Sequence, residues 1–425
     1  MRCRKAAGGM NECRPELLLF SLAAAVALLQ TAWTQPTLET EYITPVPPPS
    51  HEHRHHCNGF SQLEPLKGEW VDHHDPNHTG MTAGKPCPSF IDDFDCLHNY
   101  KTDAYYEELG RREYRKVFKP HDCSLHQFNP EHFEQCLTGR RIIVIGDSTM
   151  RQMFQSLACL MTPRIVDGFF VDWDKANLTH TSIPFEKEYT VRDEPQINIF
   201  KQNVGNFSLT NGASVHIRSF GIFNISLWDD VFAEFWPLTD KDVIIVEFGA
   251  WYPRFNSFQM AIPWTRYVND VQELFSQRLV NYPSLVLWRA YGPTHFGGPT
   301  GTYTGAHAPL YSYLLCPALS EHLPDLPGQM TCEAAAYGEY YYDTHIMRWL
   351  QQCGAPCAHV HMLPVFHLSL PQHNSHHGSF GRGTENRRID CRHYCSNVID
   401  VWNQVLYNKL CFGESSGAAM APGNS

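Results

Sequence analysis

Four runs of consecutive apolar, largely β-branched residues punctuate the chain: RIIVIG at 141–146, DVIIVEFG at 242–249, SLVLWRAY at 284–291 and HVHMLPVFH at 359–367. Each ends in glycine, proline or a polar loop. Runs without alternation suit strands covered on both faces, as in a parallel sheet. Between them the period changes. Residues 149–161 set Met150, Met153, Phe154, Leu157 and Leu160 at helical spacing, and residues 265–279 repeat the pattern with Tyr267, Val268, Val271, Leu274 and Phe275. Strand, helix and strand in alternation predict an α/β sandwich. Residues 207–218 read instead as a hairpin around Asn211-Gly212, which predicts a β insertion between the first and second core strands. The cysteine-bearing stretch 57–136 is expected to fold onto the sheet as an N-terminal lobe.

The ends of the chain follow other patterns. Arg2, Arg4, Lys5 and Arg14 precede an uncharged run over 17–35 that is almost continuous Leu, Ala, Val and Phe between 17 and 29. This is a targeting segment. It lacks a small-x-small cleavage site, so an uncleaved signal anchor is favoured over a cleaved signal peptide. The basic flank leaves 1–16 as a cytosolic tail and places everything after the anchor in the lumen. Residues 36–56 are rich in Pro and Thr and end in HEHRHH, which reads as an exposed stem more than as a metal site. The domain proper is expected over 57–412, followed by a flexible tail at 413–425.

Composition narrows the class. Hydrophobic residues make up 43% of the 425, too many for a disordered chain, and the formal charge is −11. An acidic surface of this kind excludes nucleic acid as a partner. Sequons at Asn77, Asn177, Asn206 and Asn224 suit a lumenal chain as glycosylation acceptors. Fifteen cysteines are many for a reducing cytosol. Thirteen follow the anchor, enough for six disulfides and one thiol, with connectivity that the sequence leaves open.

Ligands of open α/β sheets sit off the carboxyl ends of the strands. The first run leads into Gly146-Asp147-Ser148-Thr149-Met150-Arg151. Glycine before and a helix after make a tight turn that exposes the Ser148 hydroxyl and aims backbone N–H groups at a developing oxyanion. The plainer alternative is that Asp147 or Ser148 caps the helix. A serine nucleophile needs a base and a group to orient it. Asp390-Cys391-Arg392-His393-Tyr394-Cys395 offers both, because a carboxylate three residues before an imidazole can reach Nδ1 while Nε2 faces a neighbouring loop. Disulfides at Cys391 and Cys395 would pin that loop. A zinc site at Cys391, His393 and Cys395 is the rival, weakened by the absence of a matching ligand pair, and no metal is expected. No phosphate-binding glycine loop supports a nucleotide-dependent reaction.

The pair GDSTMR and DCRHYC, in this order and this far apart, resembles the trichome birefringence-like family of plant polysaccharide O-acetyltransferases within the PC-esterase group. Gly68-Glu-Trp70, the spacing of Cys87, Cys96, Cys123 and Cys159, Trp228-Asp-Asp230, Gly249-Ala-Trp251, Gly292-Pro-Thr-His295-Phe and the stretch 390–410 extend the likeness over roughly 57–411. The resemblance implies an SGNH-hydrolase-like three-layer sandwich with a parallel central sheet. It also implies Ser148 as nucleophile, His393 as base and Asp390 as its orienting carboxylate. Gly146, Asp147, Arg151, Gly249, Trp251 and His295 become oxyanion or pocket candidates. Arg151 would either stabilise the oxyanion or hold Asp147, and His295 would either line the pocket or cap a loop. The chain departs from the family where plant members usually carry Asn-Thr-Gly-His-Trp-Trp and it carries Glu247-Phe-Gly249-Ala-Trp251-Tyr252. It departs again where Arg-x-Asp-x-His is usual and it reads QHNSHH over 372–377.

The implied activity is a Golgi-membrane, lumenal O-acetyltransferase acting on polysaccharide hydroxyls by double displacement, with no tightly bound cofactor. Acetyl-CoA is the simplest acetyl donor, and a donor-supplying membrane partner is the alternative. Secretion is the alternative to the Golgi membrane, and two other activities stand: an acetylesterase of the same fold, and a non-catalytic glycan-binding surface protein using Trp251, Tyr252 and Trp264.

Overall fold

The computed structural model describes residues 56–57, 65–75, 77–78, 80–82, 96, 104–172, 179–183, 203–219, 225–249, 264–296, 332, 334, 341–377 and 390–413. Residues 54–425 cluster as one compact unit. The expected cytosolic tail, anchor and most of the stem lie outside the described residues, as do Trp251, Asn177 and Asn224. Among the described residues no helix is long and apolar enough to cross a membrane.

The chain begins with β1 (Gly68–Asp72), α1 (Ala104–Tyr114) and β2 (Lys116–Pro120), the two strands forming an antiparallel ribbon. α2 (Pro130–Cys136) starts on an Asn129 cap whose side chain accepts from the His132 N–H, with proline in the first turn where no N–H is needed. Then come β3 (Arg141–Gly146), α3 (Ser148–Met161), β4 (Ile165–Asp172), β5 (Thr179–Ile183), β6 (Asn203–Leu209), β7 (Ser214–Ser219) and α4 (Ile225–Ala233). β8 (Val243–Glu247), α5 (Trp264–Glu273), β9 (Leu285–Arg289), α6 (Tyr341–Cys353), β10 (Val360–Leu363), the short α7 (Phe366–Ser369) and α8 (Ser396–Phe412) complete the order.

Eight strands make the main sheet, in the order β10-β9-β8-β3-β7-β6-β4-β5. The four apolar runs became β3, β8, β9 and β10, parallel to one another and buried as continuous hydrophobic patterns require. The hairpin expected as an insertion does lie between β3 and β8 in the chain, and it joins this sheet. Its second arm, β7, lies parallel to β3, and β6, β4 and β5 continue outward antiparallel. Its turn is as read: Gly212 has φ +83°, and the Asn211 side chain accepts from the Ala213 N–H at 3.0 Å.

Consecutive residues of β9 reveal the layers, since strand side chains alternate between faces. Trp288 packs on Phe275, which itself meets Trp349 of α6, whereas Arg289 turns the other way and lies 4.6 Å over the Trp402 ring of α8. Helices α3 and α8 therefore cover one face and α5 with α6 the other, a three-layer α/β sandwich. The helix predicted at 265–279 keeps its apolar face but passes after Glu273 into a π-turn, Leu274–Arg278, that seats Phe275 and Leu274 in the core.

Disulfides tie the N-terminal stretch to the C-terminal one. Cys57 pairs with Cys123, Cys96 with Cys395, Cys136 with Cys411, Cys332 with Cys391 and Cys353 with Cys357, and Cys159 is also disulfide-bonded. The 57–136 stretch is thereby stapled to α8 and to the loop before it.

Candidate active site

The site forms where β3 ends. Gly146 brings the chain so close to β8 that a Cβ there would lie 2.2 Å from the Glu247 carbonyl oxygen and 2.4 Å from Met150 Cγ, so only glycine fits. Asp147 then caps α3, its carboxylate accepting from the Thr149 N–H at 2.8 Å and the Thr149 hydroxyl at 2.7 Å. Capping occupies Asp147 and leaves Ser148, the first helical residue, partly exposed at the helix N-terminus.

The loop before α8 faces it. The Ser148 Oγ lies 2.7 Å from His393 Nε2, and His393 Nδ1 lies 2.7 Å from Asp390 Oδ2. Asp390 Oδ1 accepts from the main-chain N–H groups of Arg392 (3.1 Å) and His393 (3.0 Å), which folds the loop around the carboxylate. Burial alone would raise the Asp390 pKa, but the adjacent His393 ring and these bonds hold it well below the usual carboxylate range. An ionised Asp390 fixes the proton of His393 on Nδ1 and leaves Nε2 to accept from the serine hydroxyl.

Both flanks of the loop are pinned, as the expected disulfides would do: Cys391 and Cys395 are bonded to Cys332 and Cys96. Their sulfurs are thereby engaged, which removes the zinc arrangement. Main-chain bonds add to this, His295 N–H to the Cys391 carbonyl (2.9 Å) and Cys395 N–H to the Ser375 carbonyl (2.8 Å).

His295 is fully buried behind this loop. Its Nδ1 lies 2.6 Å from His376 Nε2 and its Nε2 2.8 Å from the Leu370 carbonyl oxygen, and His376 Nδ1 is 3.1 Å from the His393 carbonyl oxygen. Burial first, then neighbouring histidines, lower both imidazoles, His295 to about 4. The 372–377 stretch, read as a departure from the family pattern, thus forms the bed of the His393 loop.

Beneath the serine lies a polar cluster that sequence reading missed. Glu247, at the point of departure from the plant Asn block, turns inward. Arg289 Nη2 donates to Glu247 Oε2 and to the Thr149 hydroxyl, both at 2.5 Å, and Arg289 Nε sits 2.9 Å from Met150 Sδ. Both side chains are fully buried. Burial, and next the charge of Asp147, push Glu247 up to about 8, against the pull of Arg289. Asp343, buried and accepting from the Tyr291 N–H, is likewise raised, to about 7. An isolated glutamate after an apolar run gave no signal of this pairing.

Gly249 is buried, and a Cβ there would meet the Tyr291 ring at 2.8 Å and Glu247 Oε1 at 2.9 Å. Arg151 is half-buried on the first turn of α3. Asn77 is exposed, and Asn206 is half-buried on β6.

The chain as a whole has relatives in sequence. Arabidopsis thaliana trichome birefringence-like 41 is 24% identical over 373 residues, covering 85% of this chain and 92% of its own. The chain resembles the trichome birefringence-like proteins. Trichome birefringence-like 40 is 23% identical, covering 81% and 86%, and trichome birefringence-like 36 is 22% identical, covering 75% and 79%. A second likeness, to the C-terminal domain of NXPE family member 4-like proteins, covers residues 118–190, which include Gly146 to Arg151.

Proposed function

We propose that the protein is an O-acetyltransferase that carries an acetyl group on Ser148 and passes it to a hydroxyl of a polysaccharide. One observation carries this reading: the unbroken hydrogen-bonded line from Asp390 through His393 to Ser148. The likeness to trichome birefringence-like proteins supports an acyltransferase or esterase chemistry.

In the first half-reaction Ser148 Oγ attacks the acetyl carbonyl and its proton passes to His393 Nε2, while ionised Asp390 stabilises the imidazolium. The tetrahedral oxyanion forms at the N-terminus of α3, beside the Ser148 main-chain N–H and the positive end of the helix dipole, since Asp147 already engages the N–H groups of Thr149, Met150 and Arg151. Collapse expels the donor's leaving group, a thiolate if the donor is a thioester such as acetyl-CoA, which takes the proton from His393. In the second half His393 removes the proton of an acceptor hydroxyl, the oxygen attacks the Ser148 ester, and Oγ leaves with that proton. Water in place of the sugar would make the same protein an esterase.

A lumenal, Golgi-membrane setting fits the disulfides, which persist in oxidising compartments. The test is mass spectrometry of the protein after brief exposure to an acetyl donor, with and without xylan oligosaccharides. Acetyl on Ser148 that moves to the sugar supports transfer; loss to water despite available sugar selects the esterase. Absence of any adduct on Ser148 with activated donors overturns both and leaves glycan binding.

A further inference from the structure

Gln152 lies outside the line from Asp390 to Ser148 but between its two halves. It follows Ser148 by four residues on α3 and so shares its face, one turn along. Its side chain is 1% exposed, in the interface between α3 and the His393 loop. There Nε2–H donates to the main-chain carbonyl of Tyr394 at 2.7 Å, and the Tyr394 N–H donates to Oε1 at 3.3 Å. The partners fix which end of the amide is which, since a carbonyl demands a donor and an N–H demands an acceptor. Tyr394 is the residue after His393.

We propose that Gln152 is a positioning residue for acyl transfer, an amide clamp that sets the distance between the Ser148 hydroxyl and the His393 ring. The proposal rests on the reading of Ser148 as nucleophile. The need for such a clamp follows from chain distance: Ser148 and His393 are 245 residues apart yet meet at 2.7 Å. The disulfides of Cys391 and Cys395 hold the loop to Cys332 and Cys96, and the main-chain bonds hold it to His295 and Ser375. Gln152 ties it to the nucleophile's own helix. A displacement of about 1 Å between reacting groups costs on the order of a hundredfold in rate. Among side chains of this length, an uncharged amide supplies one donor and one acceptor side by side, matching the two groups of a peptide unit.

The test measures the rate at which a fluorophosphonate labels Ser148 in the full chain, comparing wild type with Ser148→Ala, Gln152→Met and Gln152→Glu. Met keeps the volume and removes both hydrogen bonds. Its maximal labelling rate is expected to fall about ten- to hundredfold with the inhibitor's KI unchanged, because position and not binding is lost. Glu accepts from the Tyr394 N–H but cannot donate while ionised. Buried carboxyls have raised pKa values, and once protonated the acid reproduces the amide pattern. The ratio of the Gln152→Glu rate to the wild-type rate should therefore rise as pH falls.

A flat ratio, or a Gln152→Met rate within about twofold of wild type, overturns the clamp while labelling that Ser148→Ala abolishes keeps the nucleophile. Wild-type protein that is never labelled overturns both. Should Gln152→Met fail to fold, the pH ratio of Gln152→Glu decides alone, since a residue that merely packs has no reason to recover with protonation.

Discussion

The proposed acyl transfer gives each member of the Asp390–His393–Ser148 line a distinct role and therefore a distinct signature on substitution. Asp390→Asn keeps the loop's shape but can turn its amide N–H toward His393 Nδ1, which moves the ring proton to Nε2 and removes the base. A fall of roughly ten-thousandfold in Ser148 acylation is expected, with the circular dichroism spectrum unchanged. Glu247 tests the cluster beneath. Unfolded, this carboxyl ionises near its ordinary value of 4.5; folded, burial keeps it protonated to about 8. The folded state thus binds one more proton through that window, so its contribution is whole below 4.5 and is lost as pH rises to 8. Against Glu247→Gln, which cannot ionise, wild type should lose about 1.4 kcal/mol of unfolding free energy per pH unit across that window. Parallel denaturation profiles of the two proteins would show that Glu247 stays ionised as the partner of Arg289. The sequence shows residues of this kind unevenly. Ser148, His393 and Asp390 stand in short patterns with a chemical meaning, whereas Glu247, Arg289 and Gln152 acquire theirs from neighbours about 40 to 240 residues away, which no local pattern encodes.

At the scale of elements, periodicity located β3, β8, β9, β10 and α3 because burial on both faces of a sheet leaves an unmistakable apolar run. It placed the 207–218 hairpin and missed that β7 is a core strand. β7 has only its Val215 and Ile217 side fully buried, with Ser214, His216 and Arg218 half-covered, so it alternates like a peripheral strand although it pairs with β3. The α3–α8 packing was hidden for a related reason. Ser156 donates to Asp400 Oδ1 at 2.7 Å, the Thr82 N–H and hydroxyl reach Asp400 Oδ2, and the Asn403 amide bonds the Met153 carbonyl and Ser156. Buried polar residues on α8, Asn397, Asp400, Asn403 and Asn408, erase part of the apolar stripe on which helical assignment depends. They also make the interface sensitive. Asp400→Ala strips an acceptor from three buried donors and should cost about 3 kcal/mol or more, read as a lower urea midpoint. Asp400→Asn, which keeps one oxygen, should cost less. Equal losses in the two variants would mean that shape and not hydrogen bonding holds α3 against α8.

For the molecule as a whole, the question is what makes an irregular loop as exact as a helix. The answer lies in long-range covalent closure: the bond from Cys332 to Cys391 closes 59 residues and that from Cys96 to Cys395 closes 299, and the two flank His393. Cysteine count and redox compartment were legible, but pairing was not, because partners are chosen by the folded sheet and helices and not by spacing. Opening the 59-residue loop gives back roughly 4 kcal/mol of chain entropy to the unfolded state in the loop-closure account. The local effect should be larger than the global one. Cys391 adjoins Asp390, whose carboxylate organises the loop through Arg392 and His393, so releasing Cys391 frees the turn that aims the imidazole. The Cys332→Ser/Cys391→Ser double variant is accordingly expected to stay folded, with thermal unfolding shifted down by several degrees. Its Ser148 acylation rate should fall at least about tenfold, since positioning tolerates less displacement than packing does. The double substitution creates no new lone thiol to mispair, so the comparison isolates the crosslink. Wild-type acylation in a variant with lowered stability would mean that the carboxylate, the main-chain bonds and Gln152 suffice to hold His393, leaving the disulfide a purely structural staple.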